Sequence, residues 1–442
     1  MPMPYLDDLV VSNLSDSWFL LKSGKINNSY LYNNESCELG LLPVLPNQQL
    51  FDMIANIVKT RKIISKPSSS PKKYLERKDT PRLMLLLTAS CNMRCVYCHC
   101  SSETGKEHMS DECALDIVKR YIKHVREFTG KTDNIEITFM GGGEPFLRIG
   151  TIKKSVRYIE EAGIHGEYVI VTNATVGSDS DWEWIVSKGF RVTISADGPP
   201  NIQNKQRIFA KGSRGTSDYV EKRLTYLAKF DIDVNIRSTV MEISAESIDS
   251  ICNYFQRFLC IKTHQLEPVS FAGRGAVYRV VPEEEFYRQF FRNYSRHLYK
   301  NPKRFTSAWF KPFKRTHGFC GAVYFNAVVL HDGFVSLCSE VDSSALSVRY
   351  RDKYIVSHIQ DDSPFLSKKS LDFSEKNSID NIPECRTCII RYKCGGGCYI
   401  KRDRDFKDND QFYNAFCKNA VILNMSYLIG SIKNVNQQVV SL

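Results

Sequence analysis

The sequence predicts an α/β protein centred on a parallel sheet that curls into part of a barrel. Two observations predict it. Between residues 83 and 300, apolar stretches of strand length alternate six times with amphipathic helical stretches, as in parallel sheets built with crossover helices. The chemically distinctive residues then fall at the carboxyl ends of those strands, where such barrels keep their chemistry. A third observation separates this centre from its flanks. A small mixed module precedes it, and a cysteine-rich stretch without strand–helix alternation follows it.

In chain order, residues 1–65 read as a small winged-helix-like module. "SWFLLKSG", "NSYLYNNES" and "GLLPVLP" have strand character, and "NQQLFDMIANIVKTRK" has helical periodicity. Residues 66–82 form a Ser/Pro-rich basic linker, within the charge run from Ile57 to Lys78. Residues 83–300 are the partial (β/α)6 TIM-like barrel. Its strands are "LMLLLT", "NIEITFMG", "EYVIVTN", "RVTISAD", "VNIRSTV" and "THQLEPVS". The helix after the first strand, "SDECALDIVKRYIKHVREF", has Ser110 as its N-cap. The following helices start in "GTIKKSVRYIEEAG", "SDWEWIVSKG", "TSDYVEKRLTYLAKF", "AESIDSICNYFQRFL" and "PEEEFYRQFFRNYSRHLY". Residues 301–430 are expected to be irregular and to need cross-linking by metal to hold a shape. Residues 431–442 are a tail.

Composition narrows the class. Hydrophobic residues make up 43% and charged residues 25%, as in soluble globular proteins. No apolar run approaches the roughly 20 residues of a membrane span. The first residues carry acids where a signal peptide carries bases, so a cytoplasmic monomer without membrane attachment is expected. The net charge of +11 points to an anionic partner, but bases interleave with acids and no basic-aromatic module marks nucleic acid. Fifteen cysteines in a cytoplasmic chain argue for metal or redox chemistry rather than disulfides. Cys37, Cys113, Cys252 and Cys260 stand apart and read as small buried hydrophobes.

The loop after the first strand carries C-x3-C-x2-C at Cys91, Cys95 and Cys98. A zinc finger wants paired cysteines and a second pair at a set distance, and the adjacent His99 and Cys100 are poorly spaced to complete a tetrahedron. Three thiolates in one short loop suit three corners of a cubane iron–sulfur cluster and leave one iron open. This spacing, with the aromatic Tyr97 before the last cysteine and a βα barrel around it, resembles the radical S-adenosylmethionine (SAM) superfamily. The resemblance implies that the open iron chelates SAM and that an electron cleaves the cofactor to a 5′-deoxyadenosyl radical. That radical then takes a hydrogen atom from the substrate. "FMGGGEPFL" resembles the family's GGE motif, which places Gly142, Gly143 and Glu144 at the SAM amino group. "VTNAT" and "ISADGP" match the family's ribose and carboxylate contacts and nominate Asn173 and Ser195, with Arg207 and Arg237 as further carboxylate candidates. "LEPVSFAGRG" resembles the EP…GR segment of peptide-modifying members.

The later cysteines run C-x12-G-x4-C from Cys320 through Gly333 to Cys338, then C-x2-C-x5-C-x3-C over Cys385, Cys388, Cys394 and Cys398, then Cys417. This order is similar to the SPASM extension with two auxiliary [4Fe–4S] clusters, three clusters in all. By that resemblance Cys385, Cys388, Cys394 and Cys417 close the outer cluster, and Cys320, Cys338 and Cys398 hold the inner one, whose fourth ligand is open. A zinc ribbon is the other reading of the C-x2-C pair. The resemblance also implies a ribosomally made precursor peptide with a leader as substrate, and a flavodoxin- or ferredoxin-type electron donor. The expected product is a carbon–carbon or carbon–oxygen side-chain cross-link, as in cyclophane or darobactin-type maturases. Formylglycine or thioether formation is the alternative. In sulfatase-maturing relatives an aspartate base directly follows the cysteine matched here by Cys338. Here Ser339 stands in that place, and Glu340 is the candidate base at one residue's offset, with a solvated surface glutamate as the plainer expectation.

Overall fold

The structure, a computed structural model, describes residues 10–13, 18–23, 26–33 and 38–41, and residues 81–428 apart from short stretches, the longest being 342–351 and 406–416. Four N-terminal strands, β1 (Val10–Asn13), β2 (Trp18–Ser23), β3 (Ile26–Asn33) and β4 (Glu38–Leu41), form an antiparallel meander in sequence order. Three of these overlap the expected strands. The expected helix at "NQQLFDMIANIVKTRK", the linker as far as residue 80 and the C-terminal tail lie outside the described residues, and the linker's last residue, Arg82, already belongs to the first barrel strand.

The central sheet is built by β5 (Arg82–Leu86), β6 (Asn134–Met140), β7 (His165–Thr172), β8 (Arg191–Ser195), β9 (Val234–Val240) and β10 (Ile261–Pro268). Each pairs in parallel with the next, in chain order. Between them run α1 (Asp111–Thr129), α2 (Ile149–Glu161), α3 (Asp179–Ser187), α4 (Pro200–Gln206), α5 (Ser217–Leu227) and α6 (Ile248–Gln256), with α7 (Glu283–Lys300) after β10. The backbone of Cys113 donates to Ser110 Oγ at 3.1 Å, the N-cap bond expected for α1. Strand residues such as Leu83, Leu85, Ile135, Ile137, Ile170, Val192, Ile194 and Ile236 are buried in one continuous core against the helices. Parallel strands covered in this way tend to read as apolar runs, as β5 does, while β6, β8 and β9 alternate apolar with polar residues. The sheet does not close. A short β11 (Phe305–Thr306) extends it beyond β10, and β12 (Ala327–Val329) pairs in parallel with β5 at the other edge.

The C-terminal region is more ordered than the sequence predicts. Strand β12 continues as an antiparallel hairpin with β13 (Phe334–Ser336), which pairs with β14 (Ile355–His358). Helices α8 (Lys368–Lys376), α9 (Arg391–Cys394) and α10 (Tyr399–Asp405) and a helix over residues 417–428 follow. Leu86, Val328, Leu337, Val341, Tyr354, Phe373, Tyr399 and Ile400 share a second apolar core. The segment therefore has a hydrophobic centre of its own and does not depend on metal alone for shape. Between α9 and α10 three successive glycines, Gly395, Gly396 and Gly397, have φ of 76°, 87° and 76°. Only glycine visits this region repeatedly without strain, and a Cβ on Gly395 would lie 2.5 Å from the Gly318 carbonyl oxygen. This left-handed run separates Cys394 from Cys398.

Candidate active site

The carboxyl ends of the six strands surround a cavity of about 290 Å³. Cys91, Cys95 and Cys98 line it, from the loop that leaves β5. That loop is pinned on several sides. Ser90 N donates to Thr88 Oγ1 at 2.9 Å, and Cys98 N to the Cys95 carbonyl at 3.2 Å. Arg94 N and Val96 N donate to the carbonyls of Ile208 and Gln206 at 2.8 and 2.9 Å, so residues 206–210 run beside the loop as a short ladder. From the far end of the barrel Arg274 donates through Nε to the Cys95 carbonyl at 2.9 Å, through Nη2 to the Ser102 carbonyl at 3.0 Å, and through its backbone N–H to the Cys98 carbonyl at 3.0 Å.

The donor set fits a cluster held by three cysteines. The three thiols face one cavity and lie close enough for their charges to act on one another. Burial pushes the Cys91 thiol up to about 12, with the Glu144 charge adding to the rise, and burial pushes Cys95 up to about 11. Iron must therefore displace protons that the bare thiols hold firmly. Cys100 is not among the lining residues. It is buried, with its Sγ 3.7 Å from the place a Cβ on Gly142 would take. Among the described residues no three His, Cys, Asp or Glu side chains meet tightly enough to hold a single metal ion.

The glycine motif follows β6. Gly143 N donates to the Thr88 carbonyl and Glu144 N to the Ser90 carbonyl, each at 2.9 Å, and the Ser102 hydroxyl donates to the Gly142 carbonyl. A Cβ on Gly143 would lie 1.8 Å from the Ser90 oxygen, so no side chain fits there. Glu144 is buried at the cavity wall and accepts from Thr172 Oγ1 (2.6 Å), Asn173 N (2.8 Å) and Phe146 N (3.1 Å). Burial raises its pKa and these three bonds oppose the rise. Asn173 also lines the cavity, but its amide is engaged with the loop. Its Nδ2 donates to Asn92 Oδ1 at 2.9 Å, and its Oδ1 accepts from the backbone and hydroxyl of Thr175 at 2.9 and 2.7 Å. Ala174 beside it has φ 58°, the one positive φ outside glycine among the described residues. Ser195 and Arg237 are neighbours across β8 and β9, and both reach the cavity.

Tyr97 and Arg207 meet at the wall. Arg207 donates from Nη1 to the Tyr97 hydroxyl at 2.6 Å, and that hydroxyl donates to Asp197 Oδ2 at 2.7 Å. Asp197 is fully buried and also accepts from Gln206 Nε2 and Thr239 N, both at 3.0 Å. Sequence reasoning stopped at Ser195 in "SADGP" and missed Asp197. It also missed Arg274 as an anchor of the cysteine loop, because that contact joins residues far apart in the chain.

The later cysteines gather as two groups. The charges of Cys320, Cys338 and Cys398 act on one another, and those of Cys385 and Cys394 both act on Cys388. Burial pushes Cys388 and Cys398 up to about 12. Cys417 stands at the start of the helix over 417–428. Cys252 and Cys260 are buried core residues, Cys113 is half-buried on α1, and Cys37 lies outside the described residues. Glu340 departs from the solvated surface glutamate expected of it. With Ser339, Cys398, Lys401 and Phe319, it lines the same cavity as the first three cysteines. Its charge acts on both Cys338 and Cys398.

Residues 85–255 match the Radical SAM superfamily. A cysteine-type anaerobic sulfatase-maturating enzyme of Clostridium perfringens (strain 13 / Type A) is 26% identical over 366 residues, 76% of this chain and 94% of that protein. The solved structure of native anSMEcpe with bound AdoMet and Kp18Cys peptide superposes with a TM-score of 0.63 at 22% identity, covering 81% of this chain and 100% of that one. Streptococcus suis SuiB bound to precursor peptide SuiA superposes with a TM-score of 0.52 at 13% identity, covering 90% and 96%. The two solved structures share the fold. No described helix is long and apolar enough to cross a membrane. Radical SAM proteins bind a [4Fe–4S] cluster and SAM, which is what three loop thiols at the mouth of an open parallel barrel suit; residues 85–255 are a radical SAM domain, and the chain is a radical SAM superfamily enzyme.

Proposed function

We propose that the enzyme is a peptide maturase that installs a carbon–carbon or carbon–oxygen cross-link between side chains of a precursor peptide. The observation that carries this reading is the single cavity shared by Cys91, Cys95 and Cys98 on one side and by Phe319, Ser339, Glu340, Cys398 and Lys401 on the other. A substrate side chain there meets both the radical source and a carboxylate beside the second cysteine group. When bound, cluster and SAM supply a 5′-deoxyadenosyl radical that removes one hydrogen atom from the substrate. Gly142, Gly143 and Glu144 receive the SAM amino group, and Ser195, Arg207 and Arg237 its ribose and carboxylate. Tyr97 fixes the Arg207 guanidinium, and Asn173 keeps the cysteine loop against the wall. Joining two side chains removes two hydrogens. One leaves as a hydrogen atom and the other as a proton to Glu340; an iron–sulfur centre, which Cys320, Cys338 and Cys398 would hold, would be the acceptor for the remaining electron. A second such centre belongs to Cys385, Cys388, Cys394 and Cys417, and the four-stranded N-terminal sheet is the leader-binding element.

A second reading, formylglycine formation on a sulfatase, is favoured by the position of Glu340 in the cavity and by the curated relative. Reduced, cluster-reconstituted enzyme with SAM separates the two. One arm holds the short peptide encoded beside its gene, the other a Cys- or Ser-containing sulfatase peptide. Cross-linking gives a peptide lighter by two hydrogens, silent to hydrazide, and without fragment ions between the linked positions. A hydrazide-reactive aldehyde on the sulfatase peptide, with the first peptide unchanged, overturns cross-linking in favour of the second reading. Absence of 5′-deoxyadenosine from both arms overturns both.

A further inference from the structure

Four carboxylates are buried among the described residues, and the surroundings of three explain their presence. Glu144 and Glu267 line the cavity, and Glu136 holds Arg82 and Arg191 at the start of the sheet. Asp197 does neither. It lies two residues beyond β8, is 0% exposed and is not among the cavity-lining residues, so it acts only through its neighbours. Its oxygens meet donors alone: Oδ2 accepts from the Tyr97 hydroxyl and Gln206 Nε2, and Oδ1 accepts from Thr239 N. Its backbone N–H donates to Gln203 Oε1 at 2.8 Å. Gln203 Nε2 donates to Thr216 Oγ1 at 3.2 Å, and that hydroxyl donates to the Arg207 carbonyl at 2.6 Å. A closed ring therefore runs from Asp197 through Tyr97, Arg207, Thr216 and Gln203 and back, tying the cysteine loop to the ends of β8 and α4 and the start of α5. Tyr97 and Arg207 are the members of that ring that reach the cavity. Arg207 Nη1 bonds to the Tyr97 hydroxyl, its Nε is buried with no partner, and it forms no ion pair with a described residue. Among the described residues only the phenol fixes the direction of the guanidinium, and only Asp197 accepts the phenol's proton. Both charges also reach the cysteine loop: Arg207 draws the Cys95 thiol down, and Asp197 opposes it.

We infer that Asp197 is a positioning residue for SAM: through the Tyr97 hydroxyl it aims the Arg207 guanidinium at the SAM carboxylate, and it balances that charge beside the cysteine loop. The inference rests on the reading that Cys91, Cys95 and Cys98 hold the SAM-binding cluster. Groups behind a binding residue fix its orientation and tune the metal centre next to it, and a buried, fully satisfied network does so rigidly. Only a carboxylate serves here. Asparagine has one acceptor oxygen and a donor amide, so it cannot accept from Thr239 N on one side and from Tyr97 and Gln206 on the other.

The test uses the full-length, cluster-reconstituted enzyme with the variants D197N, Y97F, D197N/Y97F and T216V. The last breaks the ring on the side away from Tyr97. SAM affinity is measured by anaerobic equilibrium dialysis, and the midpoint potential by redox titration of the cluster EPR signal that changes when SAM is added. We expect D197N and Y97F each to weaken SAM about tenfold, and the double variant to lose no more than the worse single one. D197N alone removes a charge, so its potential should rise by about 59 mV, a tenfold shift of the one-electron equilibrium, while Y97F stays near wild type. T216V should lower the anaerobic melting midpoint and leave affinity and potential unchanged. Y97F removes one hydroxyl and no charge, so it decides the matter even if D197N does not fold: wild-type SAM affinity in Y97F overturns the inference. So does a double variant whose loss is the product of the two single losses, or a folded D197N with the wild-type potential. A T216V that loses SAM as D197N does also overturns it, because general loosening of the wall is then the cause. A wild type that holds iron but shows no EPR signal answering to SAM overturns the cluster reading instead.

Discussion

Cys95 lines the cavity and Cys100 is buried outside its lining, although one short loop carries both. Cys95→Ala removes one of three thiolates from a site that has no spare. We expect SAM cleavage, read as 5′-deoxyadenosine release, to be abolished and iron to fall by about one cluster per chain. Cys100 lies outside the cavity lining, so Cys100→Ala should keep most of the activity; a dead Cys100 variant would mean the ligand set is wrong. The glycines beside these cysteines divide in the same way. Gly143→Ala drives a Cβ into the Ser90 carbonyl at 1.8 Å, whereas Gly142→Ala meets nothing closer than Cys100 Sγ at 3.7 Å. The first should lower stability by about 1–3 kcal/mol or more, and the second should leave the anaerobic melting midpoint and iron content near wild type. Equal melts would refute the steric argument. Arg274→Gln tests the loop anchor from outside the motif. Loss of bonds to the Cys95 and Ser102 carbonyls should weaken iron binding by about 10–100-fold, with Arg274→Lys recovering part of it; chelator competition reads both.

Among the elements, β10 carries a buried histidine whose protonation the fold opposes. Ser238 Oγ donates to the Ala196 carbonyl at 2.5 Å, so it accepts the Nε2 proton of His264 at 2.8 Å, and Nδ1 is left buried with no partner. A second proton there would be unpaired, and burial holds the pKa down at about 3, with His297 and Arg304 adding to the effect. Above pH 6.5 both folded and unfolded chains carry neutral imidazole, and this contribution to stability is fully present. As pH falls from there toward 3 the unfolded chain takes a proton that the folded one refuses, so stability is lost, by about 2 kcal/mol at pH 5. His264→Gln should flatten that part of the profile; denaturant midpoints at pH 7 and pH 5 that fall equally in both proteins would refute it. The long elements of the barrel were legible because β5 is an apolar run, strands such as β6, β8 and β9 alternate apolar with polar residues, and the longer helices are apolar on one face. Shorter ones were not. Helix α4, "PNIQNKQ", is polar and a few residues long, and β12 and β13 are three-residue strands that only a distant partner makes into strands. The site divides along the same line. Residues in local motifs, Cys91 through Glu144, could be read in sequence. Asp197, Arg274 and the inward turn of Glu340 depend on contacts between segments, which no spacing records.

For the whole molecule, the C-terminal region completes the barrel rather than hanging from it. β12 pairs with β5 in the register Ala327 to Leu83, Val328 to Met84 and Val329 to Leu85, and β5 leads directly into the cysteine loop. Leu83 and Leu85 belong to the main core while Leu86 belongs to the second, shared with Val328, Tyr354 and Phe373. A chain cut after residue 310 keeps Cys91, Cys95, Cys98 and the glycine motif but leaves the β5 edge unpaired and strips the apolar cover from Leu86. Unpaired, apolar strand edges template association. We therefore expect residues 1–310 to aggregate and to bind less iron than the single cluster their cysteines could hold. The full chain with Cys388→Ala should remain monodisperse, because the second apolar core is intact. Size-exclusion chromatography and iron per chain measured side by side decide the matter. A monomeric 1–310 fragment with a full, SAM-responsive cluster would show that the barrel stands alone, and that the C-terminal region contributes only substrate chemistry.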